Sequence, residues 1–416
     1  ARQWMLHNGS DRGSHAIAVR NSWTKLIEDL GLQYEFTSPE MIKAGKLNSG
    51  DYRVFIMPQS IAVGPEEVRQ IREFANAGGL VIADYRTARM NEHGRDHGHG
   101  QLDDLFGISR GKGQTAGQTT TGVGNEGSLH LEGRPLQLRV GDESITTTTG
   151  KALAHSGGVP LIIVNRAGRG RTVFLNLEMS DYAYDRLQPD SKSSLPDLLE
   201  SILALAEVHP RVRVLGDNGK RLPGVEITIF KNGPLEHVAI FRNPQFDDGG
   251  WEDHPTMKAP GWAGSIDNSL LEKDAEVTIE WKGARHAYDM RGRKELGVIE
   301  SHKATLSPWE PLIFTLSTQP IPKLTIEVAP QLKAGAQLEI MLTSEAIPAQ
   351  SFRVVRLEVE TPAGKSYELY ERNLKLNGLP HRERIPLAHN DPKGCWRISI
   401  RDVMTGHSQQ VSFNVV

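Results

Sequence analysis

The chain has 416 residues, with 48 Lys+Arg against 51 Asp+Glu and a formal net charge of −3. At roughly 150 residues per domain this length predicts two or three domains, and so near-neutral a charge gives no global field for nucleic acid or an anionic membrane. Hydrophobic content of 38% and charged content of 24% support packed cores rather than a disordered chain, and 41 Gly with 23 Pro favour turns and β-structure over helical bundles.

The single cysteine, Cys395, excludes an intrachain disulfide and cannot build a zinc or iron–sulfur site alone. No run approaches the length of apolar sequence needed to span a membrane as a helix. The sequence starts at Ala1 without methionine, so the lack of a targeting signal carries no information.

The first half alternates strand and helix patterns. Gln3–His7 is a short apolar run leading into the loop Asn8-Gly9-Ser10-Asp11-Arg12-Gly13-Ser14. Trp23, Leu26, Ile27 and Leu30 then recur at helical spacing, with Gly31 as the stop. Tyr34–Thr37 alternates like a strand, and Ser38-Pro39-Glu40-Met41 reads as an N-cap followed by Pro at the first helical position. Val54–Met57 and Leu80–Asp84 are continuous apolar strands of the kind covered on both faces. A helix between them starts at Pro65, carries Val68, Ile71 and Phe74, and closes at Gly78-Gly79. These units predict an α/β domain with a doubly wound parallel sheet. Residues 107–127, rich in Gly, Thr and Gln, read as a long loop, with short strands near 128–140. Leu161–Val164 and Thr172–Leu175 flank Ala167-Gly168-Arg169-Gly170 as a hairpin, and a helix at about 195–206 closes the domain.

After Pro210 helical periodicity stops. Short alternating runs at Val225–Phe230, His237–Arg242, Ala275–Trp281 and Pro311–Leu316 predict a β-sandwich. Beyond Pro320-Ile321-Pro322, further runs at Lys323–Val328, Gln337–Leu342, Val354–Glu360, Ser366–Tyr370, Trp396–Arg401 and Gln410–Val415 predict a second one. The expected domains are 1–210, 211–320 and 321–416. Trp281 and Trp309 sit in strand-like contexts and are expected to pack in cores.

Asp51–Pro58, the helix ending Phe74–Gly79, Leu80–Tyr85, Leu102–Ile108 and the Gly-x-Gly hairpin within Asn165–Leu177 together resemble the amidotransferase-like middle domain of family 42 glycoside hydrolases, the β-galactosidase trimerisation domain. The resemblance covers about residues 1–210. It implies a flavodoxin-like sheet of the class I glutamine amidotransferase type, self-association, and a catalytic barrel that in that family lies upstream of this domain. The last segment, with Gly394–Ile398 and Asp402–Gly406, resembles immunoglobulin-like modules of secreted bacterial proteins, which leans the location towards extracytoplasmic. A barrel needs roughly 250 residues of β-α units, which this chain does not hold. The expectation is therefore a non-catalytic assembly protein or fragment, without cofactor. The alternatives are a piece of an active glycoside hydrolase whose barrel lies outside this chain, or a small-ligand or metal-binding module.

Amidotransferase chemistry needs a nucleophile on the strand-to-helix elbow. The matching turn is Ala83-Asp84-Tyr85-Arg86-Thr87-Ala88, which has neither Cys nor Ser. Asp84 and Arg86 are candidate ligand residues at this strand end, where α/β domains place their sites. Ser10, Arg12 and His15, in and after the first loop, form a candidate phosphate cradle and equally an ordinary capped turn. Glu92, His93, Asp96, His97 and His99 are candidate metal donors, though their spacing matches no standard motif and a polar surface loop is the plain reading. Trp251, in Asp247–His254, is a candidate for stacking on carbohydrate or simply packs on its own domain. Asp181–Arg186 lines the sheet edge or serves as a polar connection.

Overall fold

The computed structural model describes residues 13–96, 98–111, 125–126, 129–130, 140–177, 179–180, 182–186, 193–244, 269–345, 351–377 and 380–416. The run Gln3–His7, most of the loop after it, His97, Asp181 and Asp247–His254 lie outside these residues. The chain divides into two compact units. One comprises 1–211 with 222–225 and 243–273; the other comprises 212–221, 226–242 and 274–416.

The first unit is α/β. Helices α1 (Gly13–Asp29), α2 (Pro39–Lys43), α3 (Pro65–Asn76), α4 (Asp103–Phe106), α5 (Tyr182–Asp185) and α6 (Leu195–Leu203) surround a sheet of β1 (Val54–Met57), β2 (Leu80–Asp84), β3 (Lys151–Ser156), β4 (Val159–Ala167) and β5 (Gly170–Leu175). The order is β1-β2-β5-β4-β3. β1, β2 and β5 run parallel, whereas β4 and β3 are antiparallel additions. The sheet is thus mixed rather than wholly parallel, because the hairpin at Ala167–Gly170 returns the chain immediately beside β5.

Successive side chains of β2 go to opposite faces, as the strand period requires. Leu80 and Ile82 join a core with Trp23 and Leu26 of α1 and with Leu198 and Ile202 of α6. Val81 and Ala83 join another with Ile71 and Phe74 of α3 and Phe106 of α4. Every β2 residue is buried, which is why its sequence shows no polar alternation. Gly170 permits the tight entry to β5: a Cβ there would come within 2.3 Å of the carbonyl oxygens of Ala75 and Gly79.

Local signals behave as their chemistry dictates. Ser38 Oγ accepts from Met41 N–H at the start of α2, and Gly31 takes φ 71° after α1. Tyr34–Thr37 differs from expectation: among the described residues it joins no strand, and Phe36 is 65% exposed. Arg186, at the end of the polar connection, is fully buried. Its Nη1 pairs with Asp29 Oδ1 at 2.8 Å, and its Nη2 donates to the Asn243 carbonyl at 2.7 Å. Tyr182 Oη and Gly224 N–H also donate to Asp29, at 2.8 and 2.9 Å. Burial still leaves the Asp29 carboxyl above its ordinary range, with the Arg186 charge opposing.

The second unit is all-β. One sheet contains β6 (Val212–Gly216), β7 (Val225–Asn232), β8 (Leu235–Arg242), β9 (Ala275–Asp289), β10 (Lys294–Leu306) and β11 (Leu312–Ser317), in the order β6-β9-β11-β8-β7 with β10 on β9. β9 is longer than its alternating run because the register shifts between Glu280 and Arg285. β10 is masked in the sequence by Lys294, Glu295, Glu300, His302 and Lys303, the mark of a strand open to water.

The following strands are β12 (Thr325–Val328), β13 (Gln331–Leu332), β14 (Gln337–Thr343), β15 (Arg353–Glu360), β16 (Arg372–Leu376), β17 (His381–Pro386), β18 (Gly394–Asp402) and β19 (Ser408–Val415). They form the sheets β12-β14-β17 and β13-β19-β18-β15-β16, whose apolar residues share one core around Trp396. Two expectations are corrected. Ser366–Tyr370 is mainly turn: Tyr370 is anchored by its hydroxyl to Asp391, and the strand starts only at Arg372. Trp309 is 76% exposed at the Ser307–Glu310 turn, whereas Trp281 is buried with its Nε1 donating to the Ile299 carbonyl.

The Asp29–Arg186 pair yields a stability prediction. Arg186→Met removes one partner and leaves an uncompensated buried carboxyl, so denaturant unfolding of the first unit should show a loss of about 3–5 kcal/mol. Combining it with Asp29→Asn should restore most of that loss. A single variant as stable as the parent would show the pair to be energetically idle.

Candidate functional site

The sequence-predicted strand end is a buried polar centre. β2 ends at Asp84, whose residue exposure is 0%. Its Oδ2 accepts from Gln59 N–H at 2.7 Å, and its Oδ1 lies 3.2 Å from Thr87 Oγ1. Thr87 Oγ1 also donates to the Met57 carbonyl at 3.0 Å. One hydroxyl proton cannot serve both acceptors fully. A neutral Asp84 resolves the conflict, because its own O–H donates to Thr87 while Thr87 donates to Met57. Burial pushes the Asp84 carboxyl up to about 7, against the opposing hydrogen bonds from Gln59 and Thr87.

The backbone around this carboxyl is constrained. Gln59 and Ala88, both non-glycine, take φ of 37° and 58°. Arg110 holds the turn after β2 in place: its Nη1 donates to the Tyr85 carbonyl at 3.0 Å and its Nη2 to the Thr87 carbonyl at 2.8 Å. Arg110 Nε also pairs with Asp103 Oδ1 at 2.8 Å, and the guanidinium lies 5.4 Å from the centroid of the Phe174 ring. Gly100 is needed beside them, since a Cβ there would fall 2.2 Å from both Arg110 Nη2 and Asp103 Oδ1.

A second polar set extends from Arg89, which bonds Asp96 at 3.1 Å, the Gly111 carbonyl at 3.2 Å and Asp142 at 3.5 Å. Asp142 also accepts from Ser144 Oγ at 2.6 Å, and its N–H donates to the wholly buried Asn176.

Of the sequence-predicted residues, Asp84 and Arg86 are neighbours without an ion pair among the described residues. The buried Nε of Arg86 finds no hydrogen-bond partner there. His15 lies in α1; Ser10, Arg12 and Trp251 are outside the described residues. In the histidine loop, Asp96 is engaged by Arg89 and by Gly98 N–H, and Asn91 Oδ1 caps the N–H groups of His93 and Arg95. His93 extends into solvent, 3.9 Å from Glu92. Among the described residues no group of three or more His, Cys, Asp or Glu is placed to hold a metal. His99 is described, and His97 lies outside.

Sequence reasoning missed Gln59, Thr87, Arg89, Asp103, Arg110 and Asp142. For the charged ones the only local signal is a charge set among small residues, as in Ser109-Arg110-Gly111; Gln59 and Thr87 carry none. The strand contacts that recruit them come from far along the chain.

The comparisons with known proteins bear on this unit. Residues 12–195 match the family model of the β-galactosidase trimerisation domain. No curated protein matches the chain. Among solved structures, the β-galactosidase from Bacillus circulans sp. alkalophilus aligns with a TM-score of 0.50 and 16% identity, over 73% of this chain and 38% of that one. The cold-adapted β-galactosidase from Rahnella sp. R3 aligns with a TM-score of 0.46 and 18% identity, over 72% and 36%. The first likeness is one of fold, and this chain spans well under half the length of either enzyme.

Asp84 makes stability pH-dependent. The folded state holds its proton up to about 7, whereas the ordinary value is 3.8. This contribution is therefore complete below pH 3.8 and declines as pH rises through about 7. Asp84→Asn, which keeps the shape and stays neutral, should flatten that decline. At pH 8 it should leave the first unit as stable as or more stable than the parent, by up to a few kcal/mol. A variant that loses stability equally at pH 5 and pH 8 would refute a neutral Asp84.

Proposed function

We propose that this chain is an assembly segment related to β-galactosidase-like glycoside hydrolases, with the α/β unit mediating self-association and the β-strand part acting as spacer or binding module. The observation that carries this reading is the match of residues 12–195 to the trimerisation domain. In it, residues 1–210 form a flavodoxin-like, amidotransferase-like domain, and 211–320 and 321–416 form two sandwiches, the last of immunoglobulin-like type. The first unit supports a non-catalytic role. The turn after β2 offers a buried Asp84 and a stapling Arg110 in place of a nucleophile, and the lone Cys395 belongs to the other unit. No helix among the described residues is long and apolar enough to cross a membrane.

A second reading is favoured by length. The chain spans 38% of the Bacillus circulans β-galactosidase, so it also fits a portion of an active glycoside hydrolase whose barrel lies outside it. In both readings the chain alone hydrolyses no aryl galactoside, and hydrolysis by the purified chain would overturn both. Static light scattering behind size exclusion should give a mass near three times 46.0 kDa. A strict monomer at high concentration would overturn self-association.

A metal-binding module is the remaining alternative, and the engagement of Asp96 by Arg89 argues against it. Elemental analysis after zinc loading and desalting should find no stoichiometric zinc. Retained zinc that disappears in His97→Ala and His99→Ala would reverse this.

A further inference from the structure

The two parts of the second unit, the sheet of β6–β11 and the strands β12–β19, are fastened at more than one point. Near the connecting segment, the Tyr288 hydroxyl accepts from Ile321 N–H at 2.9 Å and Arg353 Nη2 donates to the Pro322 carbonyl. Leu235, Tyr288, Ile321 and Met404 share a small core there. A further hold comes from the buried Asn232 at the end of β7, whose partner lies 120 residues on. Its Oδ1 accepts from Phe352 N–H at 2.9 Å, and its Nδ2 donates to the Phe352 carbonyl at 2.8 Å. One side chain thus holds both polar backbone groups of the residue before β15.

This pairing fixes which way the amide points. A backbone N–H only donates and a carbonyl only accepts, so Oδ1 and Nδ2 of Asn232 cannot exchange places. The second Nδ2 hydrogen has His237 Nε2 at 3.4 Å and Met404 Sδ at 3.7 Å. On the other side of the ring, His237 Nδ1 lies 3.0 Å from Thr315 Oγ1 on β11. The arrangement requires a neutral ring protonated at Nδ1: Nδ1–H donates to Thr315, and Nε2 accepts from Asn232. A proton on Nε2 would set two donors against each other.

We propose that His237 is an acid-operated latch between the sheet of β6–β11 and the strands β12–β19. When Nε2 takes a proton, the Asn232 amide is repelled and releases the Phe352 backbone, and the contacts around Ile321 and Pro322 become the pivot. Burial favours the same neutral ring and holds His237 below its ordinary 6.5. The latch is therefore closed above pH 6.5 and opens as pH falls through the lower folded value.

The other charged groups near the joint face away or engage one another. Lys231 and Glu236 adjoin Asn232 and His237 in sequence, so they project to the opposite face of their strands. Arg353 and Asp402 lie 3.6 Å apart, and Lys375 sits over the Phe352 ring, 4.4 Å from its centroid. Two further histidines of this unit, His302 and His407, are also held low by burial; the first packs on Phe314, and the second feels Lys323, Asp402 and Arg353.

Hydrogen exchange of the full chain, resolved to the Phe352 amide and corrected for the intrinsic effect of pH, tests this. Phe352 N–H should lose at least about tenfold in protection between about pH 7.5 and about pH 5, with a midpoint below 6.5, while Ile398 and Ile400 of β18 keep theirs. His237→Gln offers an acceptor that takes no proton and should stay protected at both. Asn232→Ala should be unprotected throughout, and His302→Gln and His407→Gln should behave like the parent. Should His237→Gln fail to fold, those two variants decide: a transition kept in both supports the latch, and one lost in either assigns the proton elsewhere and overturns it. Equal protection of Phe352 at both pH values also overturns it. So does a fall that persists in His237→Gln, protection that survives Asn232→Ala, or a loss shared by Ile398 and Ile400, which is general unfolding.

Discussion

A carboxyl group sealed at the end of a fully buried strand governs the first unit. Asp84 has no water to solvate it, so the chain around it must provide every partner. Gln59 turns its N–H inward at a left-handed φ, Thr87 bridges to the Met57 carbonyl, and Arg110 holds the carbonyls of the turn that contains Thr87. Each demand passes to another element: Arg110 needs Asp103 on α4, and Asp103 needs Gly100 without a side chain. Gln59 reaches the carboxyl from a left-handed φ, and Ala88, also left-handed, donates its N–H to the Ser60 carbonyl at 2.8 Å. The Asp84 carboxyl is thereby held from both strand ends, by Gln59 after β1 and by Thr87 after β2.

The same logic explains why charged residues lie inside this unit. Asp29 and Arg186 are both inaccessible, and besides each other three groups converge on them: Tyr182, Gly224 and Asn243. Removing two charges from water is costly, and an ion pair alone does not recover the cost; added hydrogen bonds do. The raised Asp29 carboxyl shows that desolvation still outweighs the attraction of Arg186. The pair therefore specifies geometry more than it adds stability: it ties the end of α1 to residues 224 and 243, which are distant in sequence.

Much of the fold was legible because its signals are local. Ser38 as cap, Pro39 and Pro65 at helix starts, Gly31 and Gly78 at helix ends, and the unbroken apolar runs of β1 and β2 each follow from the chemistry of a few adjacent residues. What escaped depends on distant partners. β10 is too charged to read as a strand, and its ladder exists only because β9 lies beside it. Tyr367–Tyr370 has the composition of a strand, yet the Tyr370 hydroxyl is held by Asp391, 21 residues on, and the segment turns. Trp309 sits in a strand-like stretch of sequence, and a bend at its position puts it in solvent. At the site, Asp84 was legible as the end of an apolar run. Arg110, Asp103 and Gln59 were not, since a lone arginine or glutamine in sequence says nothing of the carbonyl or carboxylate it will meet.

An α/β sheet with helices on both faces buries its strands but leaves its edges to be managed separately. On one side the chain adds the β4–β5 hairpin with β3 beside β4, where Lys151 and His155 are exposed and charged or polar. On the β1 side, among the described residues, Val54, Phe55 and Ile56 are half-buried beside a groove whose lining mixes apolar residues with Arg20, Glu35, Lys46 and Arg53. Such an edge is a liability in isolation.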